Sequence, residues 1–311
     1  MKIFRDINDL PEFKNAAITT GTFDGVHLGH RQILNTLIRR AEETEGESVL
    51  LTFWPHPRMV LQPDDHGLKL LNTIDEKISI LEKTGLENLV IIPFTLEFSK
   101  MNYKDFISEI LVKKLGVKSL IIGHDHHFGK DREGNFEQLV AGAPEFGFEL
   151  IQVEPLTIDK HLVSSSLIRN ALTGGETKKA NILLGYSYEI SGKVTEGKKR
   201  GKGLGYPTAN IIPDEPYKLI PADGVYAVEA IYNHHIYKGM ANIGYNPTFA
   251  DTGKTLEVNI FNFDKDIYNK KIIIKFCHYL RKEIKFVTRE ELVQQLEADK
   301  RETNIFFNDL K

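Results

Sequence analysis

The chain has one cysteine, Cys277, one tryptophan, Trp54, and four methionines in 311 residues. A lone thiol forms no internal disulfide, so the expected setting is reducing and cytoplasmic, with a fold held by packing and hydrogen bonds. Long hydrophobic runs are also missing. The longest, VLLTFW at 49–54 and LVIIPF at 89–94, have strand length and fall far short of the roughly 20 residues a membrane helix needs. No basic segment followed by an apolar stretch opens the sequence, so no export signal is expected. Charge of one sign is not in excess either. The net charge is −3, with 21 basic against 26 acidic residues in 1–183 and 19 against 17 in 184–311. This disfavours a nucleic-acid binder working by bulk attraction, and any anion must be held by local geometry. Hydrophobic residues at 41% and charged residues at 27% are globular values. The length suits roughly two domains.

What is present has two textures. Up to residue 183, short apolar runs (AAITT, SVLLTFW, NLVIIPF, KSLIIG, FELIQV) alternate with amphipathic stretches such as IDEKISILEKTG and YKDFISEILVKKLG. That alternation predicts βα units on a parallel sheet. From 184 onward the segments YEISGKVTEG, GVYAVEAIYN, HIYKGMANIG, LEVNIFNF and KKIIIKFCHYL predict short strands, punctuated by Gly, Asn and Pro as in an antiparallel barrel. TREELVQQLEADKRETNIFF predicts a closing helix, and GETKKANILLG a connection between the two textures. The sequence sets no oligomeric state.

Residues 21–30 read GTFDGVHLGH, where an apolar run gives way to RQILNTLIRRAEE, whose Ile33, Leu34, Leu37 and Ile38 recur at helical spacing. In an open α/β sheet, ligands sit beyond the strand ends, where helix N-termini offer unpaired N–H groups. Gly21 and Gly25 permit close backbone approach, Asp24 can fix the turn, and His27 and His30 add donors for phosphate oxygens. Phe23 shares the same turn. Further on, VSSSLIRNAL at 163–172 offers Ser164, Ser165 and Ser166 as helix-capping hydroxyls, with Arg169 one turn in as a bidentate grip on pyrophosphate. The plain alternatives are a strand–helix turn with surface histidines and an ordinary serine-capped helix.

The two motifs resemble the HxGH and ISSTxxR signatures of the nucleotidylyltransferase superfamily. FWPHPRMVL at 53–61 and GHDHHFGKDREGN at 123–135 resemble the FxPHP and GxDFxFG loops of flavin-specific adenylyltransferases. His126 and His127 depart from the aromatic and basic residues usual there. A metal reading of HDHH finds no zinc spacing and no cysteine beside it. The resemblance implies flavin contacts at His56, Pro57, Asp125 and Phe128.

The second half carries GKVTEGKKRGKGLGYPTAN at 192–210. It opens like a Walker loop, but Lys199 stands where Ser or Thr must hold magnesium, and GKGLG is not the dinucleotide fingerprint. What remains is a glycine-basic loop that can close over phosphates, with Gly197, Lys198, Gly201, Gly203 and Gly205. A proline turn follows, presenting Thr208 and Asn210, hard oxygen ligands that suit Mg²⁺. The plain alternative is a hairpin with a solvated basic tip. GKGLGYPTAN resembles the GRxLGFPTAN segment of riboflavin kinases, differing at Lys202 and Gly203, and GVYAV, ANIGYNPTF, LEVNIFNFDKDIYNK and YLRKEIKFVTREEL follow in the same order.

Across nearly its whole length the chain resembles the bifunctional riboflavin kinase/FAD synthetase family. The resemblance implies a Rossmann-like nucleotidylyltransferase domain over 1–183 and a six-stranded antiparallel barrel with a C-terminal helix over 184–311. It implies phosphorylation of riboflavin to FMN, then adenylylation of FMN to FAD and pyrophosphate, with ATP as co-substrate in both steps. It further implies Mg²⁺ at Thr208 and Asn210, Glu257 as base, a flavin contact at Arg281, and small molecules as the only partners, with no nucleic acid and no membrane. A different nucleotidylyltransferase fused to an unrelated barrel would have no use for PTAN and Glu257. A flavin sensor or nucleic-acid-binding barrel would place aromatic platforms beside GKKRGKG, and none is adjacent.

Overall fold

The computed structural model describes residues 1–63, 67–124, 136–196, 201–245 and 254–309. The chain divides into two compact units, Met1–Ser164 and Ser165–Lys311.

The first unit is built on six parallel strands, β1 (Lys2–Phe4), β2 (Ala17–Thr20), β3 (Ser48–Trp54), β4 (Asn88–Pro93), β5 (Ser119–Gly123) and β6 (Glu149–Val153). Their order in the sheet is β1-β4-β3-β2-β5-β6. Strands β2 to β5 read as near-continuous apolar runs because helices cover a parallel sheet on both faces. Between them run α1 (Leu28–Glu43), α2 (Pro57–Leu61), α3 (Ile74–Leu81), α4 (Tyr103–Asp105) and α5 (Phe136–Phe146), and a small hairpin of β7 (Thr157–Ile158) and β8 (His161–Leu162) follows β6. Helix α1 buries Leu34, Leu37 and Ala41 at helical spacing and lies against β2, β3 and β5. Thr73 and Glu76 close a reciprocal capping box at the start of α3.

The amphipathic stretch after α4 continues as a π-helix, Phe106–Lys114, where the pattern predicts an ordinary α-helix. Its buried residues Phe106, Ile107, Ile110 and Leu111 join Ile18, Val49, Leu51, Val90 and Leu120 in the main core, a spacing that the wider turn keeps on one face. Strand β1 has no sequence signal, being three residues long and largely exposed.

The chain runs β2 to β3 to β4 outward on one side, then returns to place β5 on the other side of β2. This reversal opens a crevice at the carboxyl end of β2, the usual ligand position in open α/β sheets.

The second unit opens with α6 (Ser165–Thr173) and α7 (Thr177–Leu184), and α7 ends on Gly185 in the left-handed conformation. Six strands follow, β9 (Tyr188–Thr195), β10 (Ala209–Pro213), β11 (Gly224–Tyr232), β12 (His235–Tyr245), β13 (Lys254–Ile260) and β14 (Lys271–Arg281). They close as a barrel in the order β10-β13-β12-β11-β14-β9, with neighbours antiparallel. The inward residues include Tyr188, Ile190, Val194, Ile211, Leu256, Tyr226 and Phe276, all buried, with the last two rings edge to face at 5.2 Å. Helix α8 (Arg289–Asp309) docks on the barrel through a bidentate ion pair from Arg281 of β14 to Asp299, at 2.8 and 2.6 Å.

Candidate active sites

At the carboxyl end of β2 the backbone turns through three residues of positive φ: Phe23 (47°), Gly25 (87°) and Val26 (36°). Phe23 and Val26 carry side chains in a region L-residues avoid, a strain that survives only where neighbours hold it. Asp24 is one such neighbour. Its carboxylate is buried and accepts from the N–H groups of Leu71 (2.9 Å) and Asn72 (3.3 Å), which fixes the turn to the segment leading into α3. The aspartate of GTFDG therefore acts on the protein's own backbone.

His27 is the N-cap of α1, and its Nδ1 accepts from the His30 N–H at 3.3 Å. An imidazole accepting at Nδ1 carries its proton on Nε2, so His27 presents an N–H donor on the far side of the ring. Gly29 makes room for that ring, since a Cβ there would lie 3.3 Å from the His27 Nδ1. The His27 and His30 rings stack at 3.6 Å and 15°, with Phe23 at 4.6 Å from His30 on tilted planes. Burial pushes the His30 pKa well below its ordinary value, and the charges of His27 and Lys77 push the same way. His30 Nδ1 is buried and has no hydrogen-bond partner among the described residues. The site thus holds a half-buried imidazole at a helix N-terminus, with its charged form disfavoured.

His56 repeats the device one strand over. It caps α2 after β3, accepts at Nδ1 from the Arg58 N–H (3.2 Å), and Pro57 fills the first helical position. Since β3, β2 and β5 are neighbours, the turns carrying His56, His27 and His124 follow adjoining strand ends. Asp125 and Phe128 lie outside the described residues. The carbonyl of Val163 is 3.6 Å from where a Gly29 Cβ would sit, so the residue before Ser164 borders the histidine turn. Ser165 and Ser166 open α6 in the second unit, and Arg169 is half-buried one turn in.

Lys77 has no sequence signal beyond a lysine on the buried face of IDEKISIL. It is 3% exposed, and its ammonium donates to the Thr22 carbonyl at 2.6 Å. Burial lowers its pKa to about 8, with the Asp24 carboxylate opposing that shift.

The barrel carries a different arrangement. Thr195, Asn210, Glu257 and Asn242 pair successively across β9, β10, β13 and β12, forming one polar row. Their neighbours Val194, Ile211, Leu256 and Ile243 form the parallel inward row, all buried. Alternation therefore puts the polar row on the outside of the barrel. Glu257 is half-buried and accepts from the Thr208 hydroxyl at 3.4 Å. Thr195 Oγ1 donates to the Asn210 carbonyl (3.4 Å), Asn259 Nδ2 to the Pro207 carbonyl (2.7 Å), and Asn242 Nδ2 to Glu283 (3.2 Å). Thr208, Asn210 and Glu257 thereby offer hydroxyl, amide and carboxylate oxygens on one patch.

Gly201 and Gly203 lie in a 3₁₀ turn, Gly201–Leu204, held by Arg289 donating to the Gly203 carbonyl. A Cβ at Gly203 or Gly205 would meet nothing within 4 Å among the described residues, and Gly205 has φ 81°. Gly197 and Lys198 lie outside the described residues. Arg281 spends its guanidinium on Asp299 and the Lys282 carbonyl, so its observed role is to anchor α8.

A parallel sheet with a capped imidazole pair at its switch point, joined to a barrel bearing a Thr-Asn-Glu oxygen patch, defines a nucleotide-handling transferase with two sites. Residues 10–167 match the FAD synthetase family and residues 184–307 the riboflavin kinase family. The bifunctional riboflavin kinase/FMN adenylyltransferase of Listeria monocytogenes is 39% identical over 298 residues, covering 96% of this chain and 94% of the relative. That of Bacillus subtilis is 36% identical, covering 96% and 95%. A crystal structure from Streptococcus pneumoniae, named a macrolide-efflux protein, superposes with a TM-score of 0.89 at 31% identity over 97% of this chain and 98% of its own. The chain belongs to the bifunctional riboflavin kinase/FMN adenylyltransferase family. It phosphorylates riboflavin to FMN with ATP, and adenylylates FMN with ATP to give FAD. Among the described residues no helix is long and apolar enough to cross a membrane.

Proposed function

We propose that the two reactions are divided at residue 183, with adenylylation served by 1–183 and phosphorylation by the barrel of 184–311, and that both occur in the cytoplasm on free small molecules. The observation that carries the kinase half is the register of Asn210 against Glu257, with the Thr208 hydroxyl on the same carboxylate. Glu257 takes the proton of the riboflavin 5′-hydroxyl as that oxygen bonds to the γ-phosphorus, and the bond to the ADP oxygen breaks. Thr208 and Asn210 would hold Mg²⁺, because their donors are hard, neutral oxygens beside one carboxylate. The ion supplies charge neutralisation on the phosphates. Gly201, Gly203 and Gly205, with Gly197 and Lys198 before them, form the strip that covers those phosphates.

In the first unit an FMN phosphate oxygen attacks the α-phosphorus of ATP, and the bond to pyrophosphate breaks. His27, through Nε2–H, and His30 stabilise charge on the departing group, and the α1 N-terminus adds its dipole. Gly21, Phe23 and Gly25 shape the turn that lets the phosphates approach, Asp24 fixes it, and Ser164, Ser165, Ser166 and Arg169 serve the pyrophosphate. His56, Pro57, Asp125 and Phe128 contact the flavin in this unit, and Arg281, held by Asp299, is the proposed flavin contact of the kinase.

Substituting Thr208→Val tests the metal assignment. The Mg²⁺ concentration giving half-maximal FMN formation rises by about tenfold, the worth of one charge-assisted contact, while that for FAD formation from supplied FMN stays put. Equal shifts in both reactions would detach Thr208 from the ion.

A further inference from the structure

Lys77 is among the least exposed lysines a protein tolerates, and an ammonium taken out of water costs stability unless partners repay it. On α3 the same face carries Ile80 and Leu81, so an apolar residue would fill this position. The chain instead keeps a charge there. Two bonds of opposite sense cross between the histidine turn and the α3 region: Asp24 accepts from Leu71 and Asn72, and Lys77 donates to Thr22. Together they clamp the turn of Phe23, Gly25 and Val26 that precedes His27, in which Phe23 and Val26 are strained. Thr22 O has one further donor, the Thr52 hydroxyl at 3.5 Å.

We infer that Lys77 is a positioning residue of adenylyl transfer, whose ammonium holds the turn from which His27 and His30 act. The inference rests on the reading of that turn as the phosphate-handling site. Among the described residues, the ionisable groups that act on Lys77 are Asp24 on the turn and His30 on α1, with Glu76 beside it on α3 accepting from the Thr73 N–H. Asp24 is the counter-charge of Lys77, and burial with the nearby positive charges disfavours protonation of His30, so an arriving pyrophosphate group meets a site biased toward negative charge. Binding therefore favours the charged form of Lys77, and its titration sets the alkaline limit of the reaction.

The test measures kcat/KM for ATP in FMN adenylylation across pH on the full chain, with riboflavin phosphorylation as an internal control. The parent profile falls on an alkaline limb centred near pH 8. Lys77→Met loses about 100-fold, with phosphorylation unchanged. Lys77→Arg restores much of the loss, and its alkaline limb disappears up to about pH 10 because a guanidinium does not titrate there. A merely structural lysine would lower the amplitude of both variants and leave the limb in place, which overturns the proposal. Activity of Lys77→Met at the parent level overturns it as well. Should Lys77→Met fail to fold, seen in the fluorescence of Trp54, the Lys77→Arg profile alone decides. His30→Ala run in parallel separates the premises: if it makes FAD normally, the phosphate reading of the turn has failed, whatever Lys77 does.

Discussion

On the proposed assignment, the two units meet the same demand, holding a nucleotide's phosphates, by opposite architectural means. In the first, the parallel sheet contributes only strand ends, and the site is made from a strained turn, a helix N-terminus and imidazoles that cap backbone N–H groups. In the second, the proposed site lies on the strands themselves, with Asn210 and Glu257 in an outer polar row backed by an apolar inner row. In the first, burial shifts two groups downward, His30 well below its ordinary value and Lys77 to about 8. The second is half-open and depends on side-chain identity and register. A buried site can tune charge, whereas a surface site on a barrel must choose residues that already have the needed charge.

The sharpest way to break this comparison is Glu257→Gln, which keeps shape and removes the proton acceptor. FMN formation should fall by about 10²–10⁴, with FAD formation from supplied FMN intact; flavins separated chromatographically report both. Loss of both together would contradict independent sites. The reciprocal substitution, His30→Ala, should lower FAD formation by about 10²–10³ and leave riboflavin phosphorylation untouched, so that FMN accumulates. Normal FAD synthesis would remove this histidine from the mechanism.

A smaller effect sharpens the contrast in burial. The folded pKa of His30 lies below its unfolded value of about 6.5. As pH falls through that value the unfolded chain takes up a proton the folded one refuses, so the first unit loses stability from about pH 6.5 downward. Lys77 acts in the alkaline range with its folded pKa also depressed. The unfolded state holds the proton up to about 10.4, so its cost to stability fades as pH rises from about 8. Trp54, the single tryptophan, ends β3 and reports the first unit alone in urea titrations of the full chain. A midpoint that does not move between pH 7 and 5 in the parent, or that moves equally in His30→Ala, would deny the buried neutral imidazole.

Much of this was legible in the sequence, for physical reasons. Apolar runs between amphipathic stretches announced β2 to β6 and α1, and the 2-residue alternation of LEVNIFNF placed Glu257 opposite in face to Leu256 and Val258. The turn residues of GTFDGVHLGH announced a strand-to-helix passage. Illegible were the features created by pairing across distance. Nothing local says that Glu257 faces Asn210, that Arg281 is taken by Asp299, or that Asp24 binds backbone 47 residues on. Lys77 escaped because a lysine in IDEKISIL reads as solvated until the helix is placed against the histidine turn. The π-helix escaped because hydrogen-bond phase leaves almost no trace in composition. Strand β1 escaped because its short segment borrows its extension from a neighbour.

The outer row of the barrel also constrains how this chain can change over evolutionary time. Core and chemistry share a single count along each strand, so inserting or deleting one residue within Lys254–Ile260 would send Glu257 into the apolar interior and bring Leu256 or Val258 to the reaction. Point substitutions on the row can retune the kinase one position at a time, but length changes there ruin packing and catalysis in one event. Length variation therefore belongs in the connections, and an engineer grafting a new specificity onto this barrel is free to rewrite loops while strand lengths stay frozen.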